Sequence, residues 1–543
     1  MTSARRALLP TWLAIIVAIV AASMLDAGFP DQDAWPLTFV GIALVLIALI
    51  GRRAGAALAI GIITGVGFFL IHVSWTALYL GPLPWIALAV LEGLFFMVGS
   101  LTIALAYRWV PRAWPTMLGR LGLLPVVVAG LWTAREAIAS VWPYGGFAWG
   151  RLALSQSESP FAPLVAWFGV SGLSFVMVWL VAFILACAVE RGSAEAGATR
   201  GRRSVLAIGA VAVVLAIPAW PATTSGTINV GAVQGNGPAG YFQDAAPGEV
   251  MNAQTSATIP LIGKHLDMVI WPEGSADVDP TRDAASAAVL NELSAQLNAP
   301  MIVGTITHRG GKYFNSSLLW KAGKGAVAIY DKKHPVPFGE YVPDRAFWEP
   351  FAPSLIGLIQ RDYTPGTRSN VFDVNGIKAG VSICFDIADD QLTTEMMDGG
   401  TQVILAQTNN ADFGTTKENV QQLAIARLRA IETGRSLVNI STVGTSQIIS
   451  PTGATITQIP AYKPGAMAAA VPLGTTTTPA VLLSRGIEWL VSGLGLAGLV
   501  LGGLASAGRT SAGRTSASRS TASRTGAAAS RGARPAEPRR PRG

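Results

Sequence analysis

The hydrophobic pattern divides the chain into two unlike parts. From residue 8 to residue 221 apolar residues come in long runs separated by short polar breaks. A helix needs about 20 residues to cross a hydrocarbon core of roughly 30 Å. On that measure the runs predict spans near 8–24, 36–50, 55–79, 83–107, 121–141, 161–189 and 204–221, with an eighth at 479–505. From 227 onward the runs shorten. TINVGAVQG, DMVIWPE, PMIVGTITH, AGVSICFD, TQVILAQTN and SLVNIST are β-branched and read as strands. Residues 283–297 and 417–433 read as helices, the second carrying Leu423, Ile425, Leu428 and Ile431 among polar residues. Short strands alternating with helices predict an α/β layered domain with buried sheets. The predicted organisation is a transmembrane region over 1–221, a globular domain over 222–478, a last span over 479–505 and a polar tail over 506–543.

Composition sharpens this reading. Apolar residues make up 51% of the chain and charged residues only 13%, too oily for an ordinary soluble protein. A net charge of +8 would suit a nucleic-acid binder, but nine arginines (509, 514, 519, 524, 531, 534, 539, 540 and 542) gather in the tail. That segment has almost no apolar bulk, so it is predicted to be disordered. Contact with anionic lipid headgroups is a more economical reading than nucleic acid, and a solvated tail without a partner is the alternative.

Basic residues in short loops set orientation. Arg5 and Arg6, Arg52 and Arg53, Arg108, Arg112 and Arg120, and Arg191, Arg200, Arg202 and Arg203 fall on alternate loops. The intervening loops carry Asp26, Asp31 and Asp33, with Arg151 as the basic exception. Both termini are therefore predicted to be cytoplasmic and the globular domain extracytoplasmic. Glu92, Arg135 and Glu136 lie within or near spans, where charge is costly. They are either functional or paired with each other.

Candidate chemistry gathers at predicted strand ends, where ligands bind in α/β folds. Glu273, Cys384, Asn409 and Asn410 all sit there. Cys384 and Cys187 lie in different parts of the chain, so no disulfide is expected between them. His72, His265, His308 and His334 show no metal-ligand spacing, and no metal is predicted. Taken singly, Cys384 reads as a small core residue, Glu273 as a surface charge and Lys332 beside Lys333 as a solvated patch. Asn409 and Asn410 serve equally as turn residues.

In combination the motifs say more. WPEGS at 271–275, YDKKHPVPFGEYVP at 330–343 and SICFD at 382–386 resemble the Glu, Lys and Cys motifs of the nitrilase superfamily. Within it, HPVPFGEYVP flanked by membrane spans is similar to the apolipoprotein N-acyltransferase family. VQGN at 233–236, QTNNADFG at 407–414, ARLRAIETGR at 426–435 and GGFAWGRLALSQ at 145–156 extend the likeness. Asp386, Asp412, Pro335 and Ala148 depart from the usual family residues.

The resemblance implies a polytopic membrane domain of about eight helices joined to a nitrilase-like, four-layer αββα sandwich. It implies a bacterial plasma-membrane enzyme with Glu273, Lys332 and Cys384 as catalytic triad and Glu340 in support. Phe385, Asp386, Asn409, Asn410 and Trp348 are the expected substrate contacts. The implied reaction moves an acyl chain from a membrane phospholipid, through a Cys384 thioester, to the amine of diacylglyceryl-modified apolipoproteins. No cofactor is expected. A membrane glycosyltransferase partner is a further expectation, drawn from actinobacterial relatives. A membrane-tethered amidase or nitrilase using the same triad is the alternative. Residues 344–361, rich in aromatic and aliphatic side chains, read as a lid dipping toward the bilayer or as a core helix. Arg427, Arg429 and Arg435 are expected to pair with Glu432.

Overall fold

The computed structural model describes residues 7–189 and 196–529. An apolar segment in hydrocarbon must satisfy its own backbone hydrogen bonds, and the long runs accordingly fold as helices. In chain order these are α1 (Thr11–Ala27), α2 (Pro36–Leu49), α3 (Ala54–His72), the short α4 (Ala77–Leu80), α5 (Pro82–Ala113), α6 (Leu124–Ala139), α7 (Val165–Val189) and α8 (Ala196–Leu215). Among the described residues, five helices are long and apolar enough to cross a membrane: Ala54–His72, Pro82–Ala113, Leu118–Ala139, Ala162–Val189 and Gly486–Gly508. α1 and α2 are apolar but shorter. α8 is not among the five, because Arg200, Arg202 and Arg203 crowd its start.

Several boundaries differ from the sequence reading. The span expected over 55–79 stops at His72, and a 3-10 turn at Ser74–Thr76 redirects the chain. The span expected over 479–505 is split into α15 (Pro479–Leu483) and α16 (Gly486–Ala529) by Ser484, whose φ of 45° no helix accommodates. α16 runs on through the part of the tail up to Ala529 that was expected to be disordered. No proline falls between Gly486 and Ala529 to break the helix. Residues 530–543 lie outside the described residues.

Small residues let these helices touch backbone to backbone. A Cβ at Gly65 of α3 would lie 2.9 Å from Gly93 Cα of α5. One at Gly130 of α6 would lie 2.7 Å from the Gly495 nitrogen of α16.

The second half builds twelve strands: β1 (Thr224–Gln234), β2 (Met268–Ile270), β3 (Met301–Arg309), β4 (Lys312–Lys321), β5 (Gly325–Asp331), β6 (Val371–Val374), β7 (Ile377–Ile383), β8 (Val403–Thr408), β9 (Ser436–Ser441), β10 (Ser446–Ile449), β11 (Thr455–Ile459) and β12 (Gly465–Gly474). They form two six-stranded sheets, ordered β12-β1-β2-β3-β4-β5 and β11-β10-β9-β8-β7-β6. β1, β2 and β3 are parallel, as are β7, β8 and β9; antiparallel strands flank both triplets.

Alternate residues explain the stacking. Val230, Ala232, Ile270 and Ile302 of one sheet pack with Val381, Ile383, Val403, Leu405 and Val438 of the other in one core. The opposite face of the first sheet (Val233, Val269, Trp271, Val303) takes α9 (Glu249–Thr258) and α10 (Ala284–Leu297). The opposite face of the second (Ile404, Ala406, Leu437) takes α13 (Asp390–Asp398) and α14 (Glu418–Thr433). The result is a four-layer αββα sandwich. The core that α14 builds on the second sheet continues without a break into Ala148, Leu154, Phe161, Val165 and the apolar helices. The sandwich is therefore seated on the helical bundle through α14.

Candidate active site

Three strand ends converge. β2 delivers Glu273 beyond the fully buried Trp271, and Gly304 of β3 makes room, since a Cβ there would lie 2.7 Å from Glu273 Cα. β5 delivers Lys332, whose backbone N–H donates to Asn315 O at 2.8 Å. β7 delivers Cys384 at the start of a 3-10 turn, Cys384–Ala388. Its φ of 52° is costly for a residue with a Cβ and aims the thiol away from the strand direction. Asp386 holds this turn: its carboxylate accepts from Ile383 N at 3.2 Å and from Tyr330 OH at 2.8 Å.

Polar contacts tie the three together. Lys332 Nζ donates to Glu340 Oε2 at 2.7 Å and stands 4.0 Å from Glu273 Oε1. Asn315 Nδ2 bridges both carboxylates, reaching Glu273 Oε1 at 2.7 Å and Glu340 Oε1 at 2.8 Å. Glu340 is fixed further by the Val336 N–H at 2.7 Å. Glu273 Oε2 is buried and has no hydrogen-bond partner among the described residues. One oxygen is locked and the other is free to take a proton.

Electrostatics follow from burial. Desolvation pushes Glu273 up to about 7, with Lys332 opposing. Burial would lower Lys332, but Glu340, Cys384 and Glu273 outweigh it and hold the ammonium firmly charged. Burial, then Glu273, raises the Cys384 thiol well above its ordinary value, and Lys332 works against this. Burial thus favours a neutral thiol beside a carboxyl of raised proton affinity and a fixed cation. Such a set suits nucleophilic acyl chemistry, in which the proton leaves the sulfur only as the sulfur attacks.

The sequence comparisons agree on one family. The model of the apolipoprotein N-acyltransferase N-terminal domain matches residues 21–183. That of the carbon-nitrogen hydrolases matches 232–479. An apolipoprotein N-acyltransferase of Mycolicibacterium smegmatis is 29% identical over 83% of this chain and 79% of its own. One of Shewanella oneidensis is 24% identical over 86% and 91%, and one of Pseudomonas paraeruginosa 28% over 84% and 89%. The chain belongs to the apolipoprotein N-acyltransferase family. Among solved structures, an amidase of the nitrilase superfamily from Nesterenkonia is 14% identical, with a TM-score of 0.36 over 47% of this chain and 94% of its own.

The remaining expected residues of this family member fall in different places. Phe385 stacks on Trp149 (5.8 Å, 7°) and Phe147 (5.9 Å, 14°), which joins the cysteine turn to the loop after α6. Asp386, expected at the substrate, is instead fully buried, raised to about 7 chiefly by burial, and occupied with the turn. Asn409 serves as a tie, donating to Ala239 O at 2.8 Å and accepting from Thr442 Oγ1 at 2.6 Å. Asn410 is 2% exposed and sits in a side-chain network rather than on a surface. Trp348 belongs to α11 (Arg345–Trp348) and packs on Phe338, with its Nε1 3.3 Å from Tyr144 OH.

The segment 344–361, expected as a lid or a core helix, is partly buried and partly exposed. Ile356 of α12 (Pro353–Ile356) and Ile359 are buried with Leu80 and Val342, whereas Phe347 and Phe351 are 59% and 72% exposed. Of the three arginines expected to pair with Glu432, only Arg429 does, at 2.6 Å. Arg427 meets Glu158 at 2.7 Å, and Arg435 donates to the carbonyls of Thr401, Thr433, Gly434 and Thr476.

Sequence reasoning missed Asn315, Glu418, Gln421 and Gln422. An asparagine inside a strand, where it is disfavoured, was the available sign for Asn315. The polar residues of α14 stood in the sequence only as the setting of its apolar ones. They are buried because the bundle covers them: Gln421 accepts from Trp75 Nε1 at 3.0 Å and Trp149 Nε1 at 2.8 Å. Likewise Glu92 and Arg135 are buried, with Arg135 meeting Glu136 at 3.3 Å and lying over Phe96 and Trp132.

Proposed function

We propose that Cys384, Glu273 and Lys332, with Glu340 in support, transfer an acyl chain from a membrane phospholipid to the α-amino group of a diacylglyceryl-modified apolipoprotein. One observation carries this reading. A Cys–Glu–Lys–Glu cluster, with Glu273 and Lys332 buried and Cys384 and Glu340 half-buried, is mounted over an apolar helical bundle, so the thiol works where lipid-anchored substrates arrive.

In the first half, Sγ attacks the ester carbonyl while its proton passes to Glu273 Oε2. Lys332 offsets the charge on the tetrahedral oxygen, and an oriented donor of this kind contributes about 3–4 kcal/mol. Collapse breaks the ester C–O bond, and the lysophospholipid leaves with the proton from Glu273. In the second half the amine attacks the thioester, Glu273 takes its proton, and the thiolate leaves. The proton returns to sulfur and an amide is formed.

The arrangement in the cell follows from the loops. Their alternating arginines support eight crossings, including the short α1 and α2 and the arginine-bearing α8, with the sandwich (222–478) extracytoplasmic and both ends cytoplasmic. Phe347 and Phe351 then supply an apolar surface for lipid tails on their way to the thiol.

Intact mass of the full-length protein after incubation with phospholipid tests the reading. A fatty-acyl increment on wild type, absent in Cys384→Ala and discharged by a diacylglyceryl-cysteine peptide faster than by water, is the expected result. Release of ammonia from small amides without any phospholipid-derived increment would replace it with the hydrolase alternative.

A further inference from the structure

We propose that Gln422 is the hydrogen-bond donor that holds the Cys384 sulfur in its attacking position, and that Asn410 orients it. The inference rests on the acyl-transfer reading only for what the thiol attacks; the contact itself is independent of substrate.

The orientation follows from an ordered chain of donors and acceptors. Ser441 Oγ accepts from Gly444 N at 2.8 Å, so its hydrogen is available to Asn410 Oδ1, 2.5 Å away. Thr408 Oγ1 donates to the same oxygen at 3.0 Å. A primary amide has one acceptor end and one donor end. With its oxygen taken, Asn410 turns Nδ2 toward Glu418 Oε2 at 2.7 Å and Gln422 Oε1 at 2.9 Å. Gln422 is thereby oriented in turn. Its oxygen is engaged, and its Nε2 faces Cys384 Sγ at 3.9 Å. Asn410, Glu418 and Gln422 are each 2% exposed or less, so water does not scramble the order.

The consequence appears when the thiol ionises. As its proton moves to Glu273, the sulfur becomes an anion with an N–H already aimed at it, and a donor bonds an anion more strongly than a neutral thiol. The charged and titratable groups around the sulfur are Glu273 beyond β2, Lys332 beyond β5, Glu340 in the loop that follows and Glu418 on α14. Three are carboxyls that disfavour the thiolate. Gln422 supplies a neutral donor from the α14 side and so favours the thiolate without adding charge.

The test is the pH dependence of iodoacetamide alkylation at Cys384 in the full-length protein, for wild type, Gln422→Met and Gln422→His. Loss of the donor in Gln422→Met is expected to move the alkylation midpoint up by about one pH unit, equivalent to a tenfold lower rate below the midpoint. Gln422→His keeps a ring N–H and is expected to return toward wild type. A wild-type midpoint in Gln422→Met overturns the proposal. If that variant does not fold, Asn410→Ser carries the test, since it releases Gln422 without touching sulfur: a raised midpoint supports the proposal and an unchanged one overturns it. Alkylation needs no acyl donor. A wild type that phospholipid fails to acylate, together with a shifted Gln422→Met midpoint, therefore defeats the substrate reading and leaves this inference standing.

Discussion

Glu273 has one oxygen locked by Asn315 and one buried oxygen without a hydrogen-bond partner among the described residues, and its proton affinity sits near neutrality. In the proposed mechanism only the deprotonated carboxylate accepts the thiol proton, so activity is expected to rise as pH passes the Glu273 value of about 7. Thioester formation, read as the burst of lysophospholipid, is expected to fall about tenfold per pH unit below that value and to level off above it. Glu273→Gln keeps the hydrogen bond from Asn315 but removes the base. Its thioester formation is expected to drop by about 10²–10⁴ at pH 8 with an unaltered melting midpoint. Lys332→Met is a harsher change, because Glu340 and Glu273 then face each other without a cation, and both activity and stability should suffer.

At the scale of elements, α14 is the joint. Buried Arg429 donates to Glu432 and Asp390 and to the carbonyls of Ile387 and Ala388, so a single guanidinium ties α14 to α13 and to the cysteine turn. Arg151, from the loop before α7, reaches the same Asp390 at 2.6 Å. Arg429→Met leaves the buried acids short of a partner, and a loss of about 3–5 kcal/mol is expected, measured by denaturant unfolding in detergent. Asp390 is held well below the usual carboxylate range by these two arginines against the effect of burial. Its contribution to stability is therefore present above the ordinary aspartate value and is lost as pH falls below it. Between helices, Gly495→Leu would force α16 away from Gly130 of α6. A lowered melting midpoint and faster proteolysis between α15 and α16 are the expected readouts.

For the molecule as a whole, bundle and sandwich behave as one body because their cores are continuous. Polar links add register: Lys417 Nζ meets both Asp26 oxygens at 2.9 and 2.8 Å, Asp26 meets His72 at 3.0 Å, and Gln421 donates to His72 O at 3.2 Å. The exposed Phe347 and Phe351 rings, 5.5 Å apart, stand out from this seat. Moving an apolar side chain out of water is favourable by about 1.5–3 kcal/mol. The double change Phe347→Ser with Phe351→Ser should therefore raise the phospholipid concentration for half-maximal acyl-enzyme about tenfold. The saturated rate should hold, since neither ring touches the thiol's hydrogen-bond network.

Much of this protein was legible in the sequence because its decisive features are local. A long apolar run states its own helix, alternating strands and helices state an α/β layer, and WPEGS, DKKHPVPFGE and SICFD hold the candidate side chains in short segments. The antiparallel strands β4, β5, β6, β10, β11 and β12 were not legible, since β-strand formation depends on the neighbours a segment pairs with more than on its own residues. Nor was the buried polar face of α14. A helix with polar residues on one side predicts solvent there, and only the arrival of α3, α7 and the loops around Trp75 and Trp149 turned that face into an interior. The same arrival aligned Asn410, Glu418 and Gln422 behind the sulfur. Sequence thus determined which groups are the candidates for the chemistry, because those groups lie in short segments. Tertiary structure decided how they are desolvated and aimed, because desolvation and aim come from contacts between residues far apart along the chain.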